Sequence, residues 1–245
     1  MNYELNMDII IKDLRKTFGE KVAVDIPELT IRSGELLGLV GNNGAGKSTL
    51  FRLMLDLIKA DGGCVRMSGD GIDINVAETE VWKDWTGAFV DEGFLIDYLT
   101  PDEYFQFIAR LTNTTDQQLQ DFLAQFEHFM ADELTGQKKL IRNLSAGNKQ
   151  KVGIIAALLL QPKVLILDEP FNFLDPSSQS AIKHLLEKYN KETGATILVS
   201  SHNLQHTVDI SSRIVLLENG KLIQDIDNAD KKAQEILENY FEINE

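Results

Sequence analysis

Residues 41–49 read GNNGAGKST, and this stretch limits the folds open to the chain more than any other. It follows an apolar run, LLGLV, and leads into a segment with Leu50, Leu53, Met54, Leu57 and Ile58 on one helical face. A strand must therefore turn into a helix through a loop built around glycine. Gly41, Gly46, Lys47 and Ser48 match the spacing of a phosphate loop, and the strand-loop-helix context is the one that gives the pattern its meaning. Glycines let successive N–H groups point inward, and the helix start adds unpaired donors and partial positive charge. Asn42, Asn43, Gly44, Ala45 and Thr49 complete the cradle. Lys47 is expected to reach the β- and γ-phosphates, and Ser48 to hold Mg²⁺. The helix is expected over residues 47–59.

A loop of this kind needs an acidic partner. VLILDE supplies it, as a short apolar run of the type buried on both sheet faces that ends in two carboxylates. Asp168 is expected to bind Mg²⁺ through water, and Glu169 to polarise the attacking water as general base. Solvated acids at a strand end are the plainer reading of the same residues.

Between these elements lie helix-patterned stretches. Pro101 suits a first helical turn, Leu119, Phe122, Leu123 and Phe126 are spaced as one helical face, and a third helix is expected near 146–161. After Pro162 strands return, with a helix ending at Gly194 and a terminal amphipathic helix. The expected fold is α/β, a P-loop NTPase core with an N-terminal antiparallel β section and an inserted all-helical subdomain. One domain is expected over 1–245, with the core at about 1–90 and 162–225, helices at about 91–161, and the last helix at about 229–243.

Net charge is −14, which argues against a nucleic-acid partner. The single cysteine, Cys64, permits no intrachain disulfide and suits a reducing compartment. The N-terminal stretch lacks the pattern of a signal peptide, and the longest apolar run, 152–160, is too short to span a membrane.

Residues 144–151, LSAGNKQK, separate this chain from other phosphate-loop classes. With GNNGAGKST, ILDEP, NFLDP and SSH in the same order, they make it resemble the ATP-binding cassette (ABC) ATPase domain from Phe18 to about Gly220. LSAGN resembles the family's LSGGQ signature, with Ala146 and Asn148 as departures. Ser145 is a good N-cap in its own right, opening a helix whose free N–H groups can face a phosphate. The resemblance implies that Ser145, Ala146, Gly147 and Asn148 face the nucleotide of a second subunit, so that two MgATP are buried in a head-to-tail dimer. A capped core helix is the bland alternative.

The resemblance also implies adenine stacking by Phe18, where a core phenylalanine is the rival reading. It gives His202 a γ-phosphate contact and Asp175 a place in the dimer-facing D-loop, preceded by an unusually bulky Asn172-Phe173. His128, His184 and His206 lack such context and are expected at the surface or in packing, and Trp82 and Trp85 are expected in packing. Asp91, with Glu92 the alternative, stands where relatives carry glutamine. It is expected to keep a metal-linked role and to make closure more dependent on Mg²⁺. This acid and the GNKQK signature resemble the ABC-2-type exporter branch.

Phe94, Leu95, Ile96, Tyr98 and Leu99 are expected either in a groove for a membrane partner or in the subdomain core. Lys138, Lys139, Arg142, Lys149 and Lys151 are expected on a solvated face. The implied function is ATP hydrolysis, with ATP and Mg²⁺, driving a separately encoded transmembrane permease subunit from the cytoplasmic face of the membrane. A second identical nucleotide-binding subunit is the expected partner. A soluble ABC ATPase that powers assembly or remodelling, and a nucleotide-binding module without turnover, are the alternatives.

Overall fold

Alternation along the strands sets the layers. In β1 (Asp8–Phe18) and β2 (Lys21–Ile31), Ile9, Ile11, Leu14, Val24, Ile26, Leu29 and Ile31 turn to one buried face. By contrast, β3 (Leu36–Val40) is buried throughout, as a strand covered on both faces must be. The computed structural model describes residues 6–130, 134–230 and 232–244. The first residues of the stretch read as lacking a signal peptide, and a few positions inside the expected domain limits, lie outside these.

After β3 come α1 (Lys47–Met54), β4 (Gly62–Gly69), β5 (Ile72–Asn75) and β6 (Thr86–Phe89). The helical stretch holds α2 (Pro101–Leu111), α3 (Asp116–Ala124), α4 (Glu127–Met130) and α5 (Ala146–Leu159). The chain then alternates through β7 (Val164–Leu167), α6 (Pro176–Thr193), β8 (Thr196–Ser201), α7 (Leu204–Ile210), β9 (Arg213–Glu218), β10 (Lys221–Asp227) and α8 (Ala233–Asn244). An antiparallel sheet runs β2-β1-β4-β5. A mainly parallel sheet runs β10-β9-β3-β8-β7-β6, with only β10 antiparallel to its neighbour.

Alternate residues of the parallel strands feed separate cores. Leu37, Leu39, Ile166 and Leu198 pack with α1 residues Leu50, Phe51 and Met54 and with Ile9 and Ile11 of the antiparallel sheet. Leu165, Leu167, Ile197 and Val199 pack with Val152 and Ile155 of α5, with Phe105 of α2 and with Leu186 of α6. The helical segment is thus continuous with the parallel sheet through α5. A Cβ on Gly153 would stand 2.2 Å from the Phe89 ring, so glycine permits that approach.

Several helix limits differ from expectation, each for a local reason. The helix expected over 47–59 stops at Met54, because Asp56 turns left-handed (φ 49°) and leaves Leu57 exposed. Gln161 (φ 48°) lies beyond the end of α5. The terminal helix starts at Ala233 because buried Asn228 holds the preceding loop, donating to the Val208 and Ser211 carbonyls. Thr100 and Thr115 cap α2 and α3 with reciprocal hydrogen bonds to Glu103 and Gln118. Among the described residues no helix is long and apolar enough to cross a membrane.

Candidate functional site

The carboxyl ends of β3, β7 and β8 lie along one edge of the sheet, with Val40 beside Ser201 and Leu167, where β7 ends, beside Val199. Parallel sheets present ligand sites at this end. Here it delivers Gly41, Asp168 and His202 to one place.

The loop after β3 is built by close backbone approach. Gly41 has φ 152°, and a Cβ there would sit 2.2 Å from the Leu217 carbonyl oxygen. Gly46 has φ 111°, and its Cβ would sit 2.3 Å from the Ala23 carbonyl oxygen. Gly46 also precedes α1 with no side-chain cap, so the first N–H groups of that helix are left for a ligand. Lys47 is buried; its Nζ donates to the Gly41 carbonyl at 2.7 Å and lies 3.3 Å from Glu169 Oε1.

Glu169 is the point where the strands' groups meet. Its Oε2 lies 2.9 Å from His202 Nδ1 and accepts the His202 backbone N–H at 3.2 Å. An ionised carboxylate only accepts, so Nδ1 carries the proton in this contact. The Glu169 backbone is left-handed (φ 48°), and its N–H donates to Ser200 Oγ at 2.8 Å. Gln150 of α5 donates to its carbonyl at 3.1 Å. Asp168 is hydrogen-bonded by Ser200 and Ser48. Burial raises its pKa above the usual carboxylate value, against the opposing pull of those hydroxyls and of Lys47.

Burial makes the Asp168 charge costly, and a cation bound beside it would offset that cost. Ser48 and Asp168 are hard oxygen donors, and Mg²⁺ in nucleotide sites takes one or two such protein ligands with the phosphates. The N–H-lined loop, which has no room for a Cβ at Gly41 or Gly46, fits the triphosphate. Bound there, Mg²⁺ would supply charge neutralisation to the β- and γ-phosphates.

Asp91 lines a cavity of about 350 Å³ with Asp168, Glu169, Ala146, Gln150 and Phe173. Its own oxygens are engaged by the Gly93 N–H at 2.7 Å and by Arg52 at 3.1 Å. Phe18 is 54% exposed at the end of β1, with the Lys16 ammonium 5.5 Å from its ring centre, so it is not a core residue. The strand turn it borders brings Lys21 to the phosphate loop, 3.7 Å from where a Gly44 Cβ would stand.

Ser145 caps α5, accepting the Asn148 N–H at 3.2 Å, and it is exposed together with Ala146. Gly147 backs onto the D-loop segment, its Cβ position 2.6 Å from the Phe173 carbonyl oxygen. Asp175 caps α6 through Ser177 and Ser178, whose hydrogen bonds hold its pKa below the usual carboxylate value.

Other expectations divide. Trp82 is buried and donates to the Val76 carbonyl at 3.0 Å. His206 packs on Phe171, and burial lowers its pKa. Leu95 is buried and Leu99 half-buried in the helical core, whereas Phe94, Ile96 and Tyr98 are exposed. The basic cluster is not uniformly solvated: Lys151 is buried against Phe129 and Lys149 pairs with Glu92. Ser200, Gln150, Lys21 and Arg52 were not singled out from sequence. Ser200 and Gln150 had a signal, as members of the SSH and LSAGNKQK stretches; Lys21 and Arg52 had none.

A family model described as ABC transporter matches residues 24–172. The bacitracin transport ATP-binding protein BcrA of Bacillus licheniformis is 33% identical over 241 residues, covering 95% of this chain and 75% of BcrA. The tungstate uptake system ATP-binding protein TupC of Peptoclostridium acidaminophilum is 30% identical over 217 residues, covering 88% of this chain and 97% of TupC. A solved ATP-binding subunit of an ABC transporter superposes with a TM-score of 0.81 at 26% identity, covering 97% of this chain and 99% of that one. The chain belongs to the ABC transporter family, as one of its ATP-binding, ATP-hydrolysing subunits.

Proposed function

We propose that this chain hydrolyses MgATP as half of a head-to-tail dimer and thereby drives a separately encoded transmembrane permease, in the direction of export. The observation that carries the reading is the sharing of Glu169 between Lys47 and His202 at the ends of the parallel strands. Triphosphate binding draws the Lys47 ammonium off the Gly41 carbonyl and onto phosphate oxygens. Glu169 then keeps His202 as its partner and presents a free oxygen to water. Ser48 and Asp168 hold the metal, and Phe18 offers its exposed face to adenine.

The second half of the pocket comes from the other subunit. Ser145, Ala146, Gly147 and Asn148 open α5 at an exposed end, where N–H groups can meet a γ-phosphate in trans. Asp175 and the exposed Phe173 lie beside that end and belong to the contact between subunits. The chain sits on the cytoplasmic face of the membrane through its permease. Export is favoured by Asp91 and by the GNKQK signature; the names of the relatives include both transport and uptake, so a flux measurement decides it.

The test is a Glu169→Gln variant, with the permease present if turnover requires it. Phosphate release should fall by roughly 10²–10⁴-fold, the usual worth of a positioned general base. At saturating MgATP the variant should accumulate as a dimer by light scattering. Retained turnover, or a persistent monomer, overturns the reading. ATP-driven efflux from permease-containing vesicles tests the direction, and uptake would reverse it.

A further inference from the structure

Two consecutive acids after β6 reach opposite ways. Asp91 Oδ2 pairs with Arg52 Nη2 at 3.1 Å, and its Oδ1 accepts the Gly93 N–H at 2.7 Å. Glu92 Oε2 pairs with Lys149 Nζ at 3.2 Å. Arg52 lies in the last turn of α1, the helix that begins with Lys47 and Ser48. Lys149 lies in the first turn of α5, where its N–H donates to the Ser145 carbonyl at 2.9 Å. One dipeptide therefore joins the phosphate-loop helix to the signature helix.

We infer that Asp91 and Glu92 form a two-armed ionic bracket that sets the signature helix against the phosphate-loop helix, making Arg52, Asp91, Glu92 and Lys149 positioning residues for hydrolysis. This rests on the dimer proposed above. In that dimer each protomer lends its phosphate loop to one pocket and its signature to the other. The fixed distance between those two ends within a protomer then decides whether both pockets close together.

The strength of the arms suits such a joint. The Arg52 and Asp91 side chains are 39% and 44% exposed, and Lys149 and Glu92 are 20% and 61% exposed. Pairs of this exposure shift an equilibrium by up to about fivefold each. That is enough to bias a closing movement and too little to lock it. Salt should weaken the bracket, since the screening length falls from about 10 Å at 0.1 M to about 3 Å at 1 M, which is comparable with the separation of these exposed pairs.

The experiment measures steady-state ATPase of the full chain, with its permease if turnover requires it, in Glu92→Lys, Lys149→Glu and the double exchange. Each single reversal should lower kcat by roughly five- to tenfold, with KM for MgATP nearly unchanged. The double exchange should recover most of the loss, and 0.5 M salt should shrink the difference between wild type and single variants. Asp91→Asn should lower kcat by about threefold and leave the Mg²⁺ concentration for half-maximal activity unmoved. Melting temperatures control for folding.

A double exchange no better than the product of the singles overturns the bracket. A shift in the Mg²⁺ requirement of Asp91→Asn also overturns it, and assigns that carboxylate to the metal instead. Failure of the underlying dimer is a separate result, seen as a monomeric Glu169→Gln variant in saturating MgATP, whatever the exchange variants do.

Discussion

The starts of α1 and α5 are both helix N-termini, and they are finished in opposite ways. At α1 the preceding residue is Gly46, with no side chain to cap the helix, and the backbone is pressed against Ala23 and Leu217. Buried Lys47 and the carboxylate of Glu169 surround it. At α5 the cap is Ser145, which is exposed, and its hydroxyl already takes the Asn148 N–H. The first end has been made into a walled socket. The second is an exposed surface that becomes a wall only when something is laid against it. The same donor geometry thus serves as container in one place and as lid in the other.

Alanine at the paired glycines is the harshest way to break this contrast. Gly46→Ala puts a Cβ on a φ of 111° and 2.3 Å from a carbonyl oxygen. The strain alone costs about 1–3 kcal/mol, and the collision adds to it. Nucleotide binding by isolated protomers should be lost and the melting temperature lowered. Gly147→Ala also meets a carbonyl, at 2.6 Å, but its helical backbone welcomes alanine by about 1 kcal/mol. The Phe173 segment should give way, so that the fold and protomer binding survive while dimerisation and ATPase fail. Equilibrium binding of a fluorescent nucleotide, light scattering and phosphate release measure the three properties. If both variants lose protomer binding alike, the container-and-lid distinction is wrong.

Ser145→Ala sharpens the same point at smaller scale. Losing the cap should cost about 1 kcal/mol, or about 2–4 °C in melting temperature for a chain of this size. Protomer affinity for nucleotide should stay unchanged, and the concentration at which dimers form should rise. A drop in protomer affinity would place Ser145 in the container and not in the lid.

The container was legible in sequence because its chemistry is local. A glycine spacing, a lysine and an apolar strand sit within one short stretch, and VLILDE carries its own acids. Parallel strands buried on both faces showed as unbroken apolar runs. What stayed hidden was contact at long range. Nothing about Arg52 or Lys149 on its own helix says that it meets Asp91 or Glu92. Lys21 reaches the phosphate loop only because the antiparallel sheet folds over it. The early stop of α1 depends on Asp56 turning left-handed, which periodicity does not register. β5, β6 and α7 were too short for a pattern to stand out. Phe18 needed its exposure to be distinguished from a core residue.

The mildest test uses a third helix start as a reference. α6 is capped by Asp175, which accepts the Ser177 N–H at 2.9 Å and the Ser178 N–H at 3.0 Å and takes both serine hydroxyls. A carboxylate there repels a phosphate, so this end is closed to nucleotide by charge. Its lowered pKa makes the cap pH-dependent. The folded chain holds the charged form more strongly than the unfolded chain does, so the stabilisation is fully present above the unfolded value of 3.8 and is lost as pH falls through the folded one. Urea unfolding of Asp175→Ala should therefore show a deficit against wild type near neutrality that narrows in acid. Asp175→Asn, which can still accept both N–H groups, should lose less. A deficit constant with pH would mean that Asp175 acts by packing, and the electrostatic difference between this closed end and the open start of α5 would fall with it.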